Sequence, residues 1–512
     1  MEEPSSLTRQ AKFVRRADLD KDTRLKVGVT ALLFARRGTV TRLAARHALS
    51  RNFVYQLRAG VKNALDGLFE AAERSKRQEG AWLESVRLLL QLRLQGRCAV
   101  RPTADLMTDF GAPHASVGFA SQTLRQLGAL LPDTVRWQGS VFMACDEIFF
   151  QGRNPVLVSV DTHSLTVLKA RIHPGLSKEA WQSHWSSLAQ AGIETRGMTS
   201  DDGWMLRAAR LEDLPDLAWQ PDTFHAVSHR LGPILCRLER GAHKAIEKEY
   251  ERQAFSATAA KPALKTRFGQ QWAESRQKSA QAIETLENFR FLYQCILRQF
   301  DIFDRHGRLA DAQKAENEVR TALELLRTLP VQGLSAELEA IAKNLPHLFN
   351  FLRHAGTIDE QLAQTLQPQT LPFWCTAWQY LKKANKSCRR PAYQAYAVRQ
   401  AEDFLKLLEE HLGLDETSFA KLQQDVFDRL DQIVQSSASV ETFNSFLRPF
   451  LNDSRDQLSQ EMLNLIVFYY NHRVFKRGKR KGKSPFEILS GQKTHHDWLD
   501  ELLLIAQKDR LN

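Results

Sequence analysis

Three acidic residues in this chain sit where a plain solvated carboxylate is a poor account of them. Asp146 interrupts the apolar run 141–150, where a buried lone charge is costly and must be paired, metal-bound or set at the edge of a site. Asp201 stands where the short strand expected at 195–200 gives way to Asp201-Asp202-Gly203, the carboxyl end that mixed α/β sheets use for ligands. Glu441 lies in 439–452, where Glu441, Asn444, Ser445 and Arg448 share one helical face and Val440, Phe443, Leu447 and Leu451 another. Serines 436, 437 and 439 are expected N-caps for that helix. Three converging carboxylates suit Mg²⁺, a hard cation that takes oxygen ligands and keeps waters, with Mn²⁺ as its substitute. Glu147, next to Asp146, is expected on the opposite face of its strand, and Asp161 as a turn residue. The choice between Asp201 and Asp202 stays open at this point.

These residues need a scaffold, and the hydrophobic pattern supplies one. Apolar runs at 141–150, 155–160 and 165–172 predict three strands in hairpin succession. A helix carrying Trp181, Trp185 and Leu188 follows, then a strand at 195–200, a helix from Trp204 and a strand at 223–227. That order predicts a mixed five-stranded sheet with helices packed on it. From 233 to 435 the period is helical throughout, with few Gly or Pro, so an all-α insertion is expected before the helix of Glu441.

At 512 residues and 43% apolar composition, the chain has room for about three domains with real cores. Its 71 Lys and Arg outnumber 59 Asp and Glu, a net charge of +12 that suggests a polyanionic partner. Six scattered cysteines without a Cys-x-x-Cys pair argue against a zinc finger or a disulfide framework and suit a reducing compartment. Neither a secretory signal nor an apolar run near 18 residues is evident, so no membrane role is expected.

Positive charge concentrates at both ends. Between Thr23 and Leu65 there are nine Lys or Arg residues and no acid. Residues 38–47 read as a short helix, 48–50 as a turn, and 51–61 as a second helix capped by Ser50. A helix-turn-helix of this kind offers Arg42, Arg46, Arg51, Asn52, Tyr55, Gln56 and Arg58 to groove edges and phosphates of double-stranded DNA. An apolar helix at 82–94, a helix at 101–110 and another at 116–130 are a weaker second instance, or plain helical packing. Near the other end, residues 473–483 hold seven cations in eleven positions, among them Lys476, Arg477, Lys479, Arg480 and Lys481, and are expected to bind phosphates.

Asp146 in a first strand, Ser200-Asp201-x-Gly203 after a fourth, and Glu441 in Glu-x-x-Asn-x-x-Leu-Arg together resemble the DDE transposases of the RNase H-like and retroviral integrase superfamily. Tyr470-Asn471-x-Arg473 and Lys483-x-Pro485-x-Glu487-x-Leu489 resemble the tail of insertion-sequence transposases. Asp201 and Glu441 are 240 residues apart, far more than in compact members, and the helical insertion resembles that of hAT-type transposases. Asp222-x-x-His225 is similar to an accessory signature of inserted families, and a core histidine is an equal reading. The resemblance implies an RNase H-like core interrupted by an all-α insertion and preceded by helix-turn-helix DNA-binding domains. It implies domains at 1–70, 71–134, 135–232, 233–435 and 436–512. It further implies Asp146, Asp201 and Glu441 as catalytic ligands of two Mg²⁺ ions, with Asn444 and Arg448 holding phosphates nearby. The implied activity is cleavage of terminal inverted repeats and strand transfer to target DNA by a homodimer or larger assembly, in the cytoplasm on the nucleoid. Insertion tryptophans, Trp374 and Trp378 among them with Trp272, are candidates for stacking on a displaced base. A catalytically inactive DNA-binding derivative and an RNase H-like nuclease without strand transfer remain alternatives.

Overall fold

The computed structural model describes residues 19–150, 154–201, 203–386, 390–453, 458–494 and 496–511, so Asp202 lies outside the described residues. The chain divides into two compact units, Met1–Arg93 with Val100–Ala120, and Leu94–Ala99 with Ser121–Asn512.

In the first unit, α1 (Lys21–Leu33), α2 (Thr39–Arg46) and the start of α3 (Arg51–Leu90) enclose Val27, Ala31, Ala44, Leu49, Phe53, Val54 and Leu57. The expected turn is present: Ser50 Oγ accepts from Phe53 N at 3.1 Å and opens α3. Ala44 of α2 is buried in that core, and Gly28 of α1 adds a close approach to α3, where an added Cβ would lie 2.8 Å from Val61 Cγ2. The second helix is far longer than its expected 51–61. It runs 40 residues to Leu90 and passes into a π-helical turn at Gln91–Gln95. The separate helix expected from Trp82 is thus its continuation, and the boundary expected at residue 70 falls inside it. Two shorter helices follow, α4 (Val100–Asp109) and α5 (Val117–Ala129).

The second unit is built on one five-stranded mixed sheet. In chain order it runs β1 (Gly139–Phe150), β2 (Asn154–Asp161), β3 (Val167–Ile172), α6 (Lys178–Gln190), β4 (Ile193–Ser200), α7 (Trp204–Asp213) and β5 (Ala218–Pro221). Strand order is β3-β2-β1-β4-β5, with the first three antiparallel and β1, β4 and β5 parallel. The fifth strand lies before its expected place: 224–228 is a π-helical turn, and the pairing residues are Ala218–Pro221. Asp222 explains the shift, since its carboxylate accepts from the N–H groups of Phe224 and His225 and so starts a helix there.

Eight helices fill the expected insertion: α8 (His229–Thr258), α9 (Pro262–Arg298), α10 (Ala312–Arg327), α11 (Leu334–Leu348), α12 (Asn350–Thr365), α13 (Leu371–Lys386), α14 (Pro391–Leu412) and α15 (Glu416–Leu430). They share one apolar core and belong to the same compact unit as the sheet. Trp374 is fully buried there and stacks on Phe419 at 5.3 Å, while the Trp378 indole N–H donates to Asp431 at 3.1 Å. Both are core residues, so neither ring face is open to a base. The chain ends in α16 (Ala438–Asp453), α17 (Gln460–His472), α18 (Pro485–Ser490) and α19 (Trp498–Leu511). Among the described residues no helix is long and apolar enough to cross a membrane.

Side-chain amides cover part of both sheet edges, joined on β3 by the backbone of residues 133–135, which limits the hazard of an open strand edge. On β3, Asn471 Oδ1 accepts from Val167 N and its Nδ2 donates to Val167 O, each at 2.9 Å. Gln460 serves Ile172 N and Ala170 O in the same way. On β5, Asn350 Nδ2 donates to Trp219 O at 2.7 Å, and Gln220 Oε1 accepts from Phe351 N. Asn471→Ala would strand a buried donor and a buried acceptor, so a loss of roughly 2–4 kcal/mol in unfolding free energy is expected by chemical denaturation. An unchanged midpoint would show that Asn471 does not hold the edge.

Candidate metal centre

The acidic site is set first by strand register. The parallel β1–β4 ladder ends on the pair Cys145 and Ser200, so Asp146 and Asp201 leave adjacent strands at the same level. Asp146, Glu147 and Asp201 each bring a carboxylate oxygen within 4.8 Å of the other two. Glu147 does point to the other face, as its strand position requires, yet it still joins the cluster. Asp201, just past the end of the ladder, is within reach of both neighbours.

Each carboxylate is held from a different element. On one face Asn444 of α16 donates from Nδ2 to Asp146 Oδ2 at 2.6 Å. On the other, Trp181 of α6 donates from its indole N–H to Glu147 Oε1 at 3.0 Å. Gly203 N donates to Asp201 Oδ1 at 3.2 Å. A Cβ at Gly203 would lie 3.1 Å from that oxygen and 3.6 Å from both Glu147 oxygens, so glycine leaves the mouth of the cluster open. Asn444 itself is 1% exposed and its Oδ1 has no hydrogen-bond partner. Its amide is therefore engaged on Asp146 inside the site, where the sequence reading had it holding a phosphate.

Glu441 stands at the rim. Its side chain is 39% exposed, lies 3.8 Å from Arg448 Nη2 and falls outside the three-carboxylate cluster. The helix presents Asn444, one turn on, to Asp146 instead. The charge of Glu441 still reaches Asp146. Burial first, then Asp201, Glu147 and Glu441, push the Asp146 carboxyl up to about 8. Burial and then Asp201 raise Glu147 to about 7, against the indole bond that lowers it. Crowded, half-desolvated carboxylates of this kind are what a divalent cation would relieve.

Asp222 does structural work beside the cluster. Besides capping Phe224 and His225, its Oδ2 accepts from Ser437 N at 2.7 Å and Ser437 Oγ at 2.6 Å. Ser437 O in turn accepts from Val440 N and Glu441 N in the first turn of α16. The Ser437 hydroxyl, expected as a helix cap, is thus turned to Asp222, and Ser439 Oγ is buried without a partner. His225 is half-buried between the rings of Phe224 and His229 at 5.6 and 5.5 Å.

The remaining expected residues are spread over the molecule. In the first unit Arg42, Arg46, Arg51, Asn52, Tyr55 and Gln56 are exposed and Arg58 is half-buried. In the second, the loop after α17 exposes Lys476, Arg477 and Lys481, while Lys479 pairs with Asp431 and Arg480 donates to His163 O. Lys479 thus anchors the loop on the end of α15 and Arg480 on the turn after β2, and both line a cavity of about 480 Å³ with Lys483 and Lys493. Arg473 lies over the Phe446 ring at 4.1 Å, a stacking role and not a free cation. Two aromatics that the sequence reading passed over flank the acids. Trp204, at the start of α7, is 71% exposed, and Phe224, after β5, is 58% exposed. Their signal in the sequence was position, one directly after Gly203 and the other within Asp222-x-x-His225.

Compared with known proteins, the chain matches no family model and no curated sequence.

A raised folded pKa means that the folded state holds protons the unfolded chain has lost. The contribution of these two carboxyls to metal-free stability should therefore be full below about pH 4 and be lost as pH rises through about 7 and about 8. Thermal melts in a chelator should show that decline, and Mg²⁺ should raise the melting temperature more at pH 8 than at pH 5. Asp146→Asn should remove most of the slope. A melting temperature in chelator that rises between pH 5 and 8 would contradict the clustered-carboxylate account.

Proposed function

We propose that the chain is a DNA transposase of DDE type, with an RNase H-like core that cuts and joins DNA strands with divalent metal. The observation that carries this reading is the meeting of Asp146 and Asp201 at adjacent parallel strand ends, joined by Glu147 and approached by α16 from 240 residues further on. The five-stranded mixed sheet and the helical insertion agree with what the resemblance implies.

The donor set fits Mg²⁺: all-oxygen, anionic, and lined by an unpartnered buried carbonyl on Asn444 that can accept from a cation's water. Asp146, Glu147 and Asp201 would hold one cation, and Glu441, whose charge reaches Asp146 from α16, would complete a second position. Bound there, divalent cations supply Lewis acidity at the scissile phosphate and lower the pKa of an attacking water. The residues around them position. Asn444 orients Asp146, Trp181 orients Glu147, and Asp222 fixes the start of α16 through Ser437. Trp204 and Phe224 offer ring faces to unpaired bases beside the cut. The helix-turn-helix residues of the first unit would recognise element ends. Because two ends must be joined in concert and each chain carries one acidic site, at least a dimer on DNA follows.

The test uses duplexes ending in the inverted repeats that flank the gene. Asp146→Ala, Asp201→Ala and Glu441→Ala should each abolish Mg²⁺-dependent cleavage and joining while end binding persists. Glu147→Gln should cut cleavage by about 100-fold, the size expected when one transition-state interaction is removed. Near-normal activity of Asp146→Ala or Asp201→Ala sinks the reading. Cleavage without joining by the intact protein would make it a nuclease instead.

A further inference from the structure

The α8–α9 hairpin leaves the common core partway along its length. Its core residues sit at the root: Leu231 and Ile234 on α8, and Phe289, Leu292, Tyr293 and Ile296 on α9. Beyond Ala242 the two helices hold chiefly each other. Contact there is through small and polar groups, with Ser279 Oγ donating to Glu249, Arg252 to Gln271, and Phe255 and Phe268 closing the end at 6.2 Å between ring centroids. From Ala242 to Thr258 at 1.5 Å per residue, α8 extends ~24 Å past that core.

Charge is segregated along this arm. Residues 252–278 hold six cations (Arg252, Lys261, Lys265, Arg267, Arg276, Lys278) and one acid, Glu274. The rest of the two helices is nearly balanced, with seven Lys or Arg against six Glu. Two cations nearer the root are paired, Arg290 with Glu239 and Arg230 with Glu337. At the tip Lys261, Lys265, Arg267, Arg276 and Lys278 are exposed and make no ion pair among the described residues. Five unpaired like charges on a slim hairpin repel one another, a cost with no return inside the fold.

We propose that the tip of this hairpin, residues 252–278, is a docking surface for the phosphate backbone of duplex DNA, separate from the carboxylate centre. The inference rests on the reading of the chain as a DNA-processing protein and adds where duplex outside the cut is held. On α9, Lys265 and Arg276 lie in one row and Arg267 and Lys278 in another, each pair 11 residues or ~16 Å apart. The rows fall on opposite flanks of the helix, so they meet phosphates on both sides of a groove wide enough for a helix. Main-chain continuity ties the arm to the site. Asp222 caps the turn at Phe224–Ser228, which runs directly into α8. Cation–phosphate contacts of this kind carry no base readout, so the arm would bind sequence-independently.

The test uses the full chain carrying K261Q, K265Q, R267Q, R276Q and K278Q together, with a random-sequence duplex in chelator across a salt series. Each lost phosphate contact should flatten the slope of log affinity against log salt by about one unit, and affinity near physiological salt should fall by about tenfold or more. The thermal midpoint should hold, since all five side chains are exposed, and the single variant Glu274→Gln should not weaken binding. Unchanged affinity and slope overturn the proposal. So does an unchanged slope accompanied by loss of self-association in DNA-free sedimentation, which would make the tip a contact between copies. Chelator keeps this test apart from the catalytic one: an inactive carboxylate site leaves the salt slope untouched.

Discussion

The parallel pairing of Cys145 with Ser200 is the constraint on which the rest of the site depends. It brings two carboxylates to the same level at neighbouring strand ends, and β1 continues past the ladder so that Glu147 follows. Three partly buried acids this close repel one another, and burial with that repulsion pushes the carboxyls of Asp146 and Glu147 up. The nearest support is neutral: an amide, an indole and a backbone N–H. A fold that spends stability in this way is prepared for a cation, much as strain elsewhere in proteins gathers at functional sites.

Everything around the ladder keeps that arrangement in place. The sheet edges are capped by amides from α12 and α17 and from β5 itself, so strand order and register have no freedom to slip. Beneath the sheet Cys145, Ser159 and His184 form a buried hydrogen-bonded chain, with His184 held neutral by burial. This chain anchors α6, and so the indole of Trp181, against the strand that carries Glu147. On the other face the Asp222–Ser437 clamp sets the start of α16, and Asn444 follows from helical geometry alone. A carboxylate with four hydrogen-bond donors on it is a rigid joint, and this one links the end of β5 to a helix 215 residues later.

The insertion makes that joint necessary. Its eight helices share a core and belong to the same compact unit as the sheet, so they act as part of the scaffold that returns the chain to its site. Trp374 and Trp378 are consumed by that core. At the strand ends Trp204 and Phe224 are exposed, and exposed positive charge includes the α8–α9 tip and the loop after α17.

Local pattern alone determined a good deal. The three hairpin strands, the turn before Ser50 and the helical run after residue 233 follow from side-chain period and turn chemistry, both properties of neighbouring residues. Asp146 was legible as a charge placed within an apolar run, and Asp201 as an acid at the carboxyl end of an expected strand. What pattern could not reach was decided by register and distant packing. Strand alternation sends Glu147 away from Asp146, and only the pairing of β1 with β4 brings Asp201 within reach of both. The helix of Glu441 has a polar face several residues wide, and only its docking decides that Asn444 meets Asp146 while Glu441 stays at the rim. The length of α3 and the place of β5 escaped as well. A helix continues where no residue stops it, and a four-residue strand is specified by the neighbour it pairs with, which the chain does not reveal until it folds.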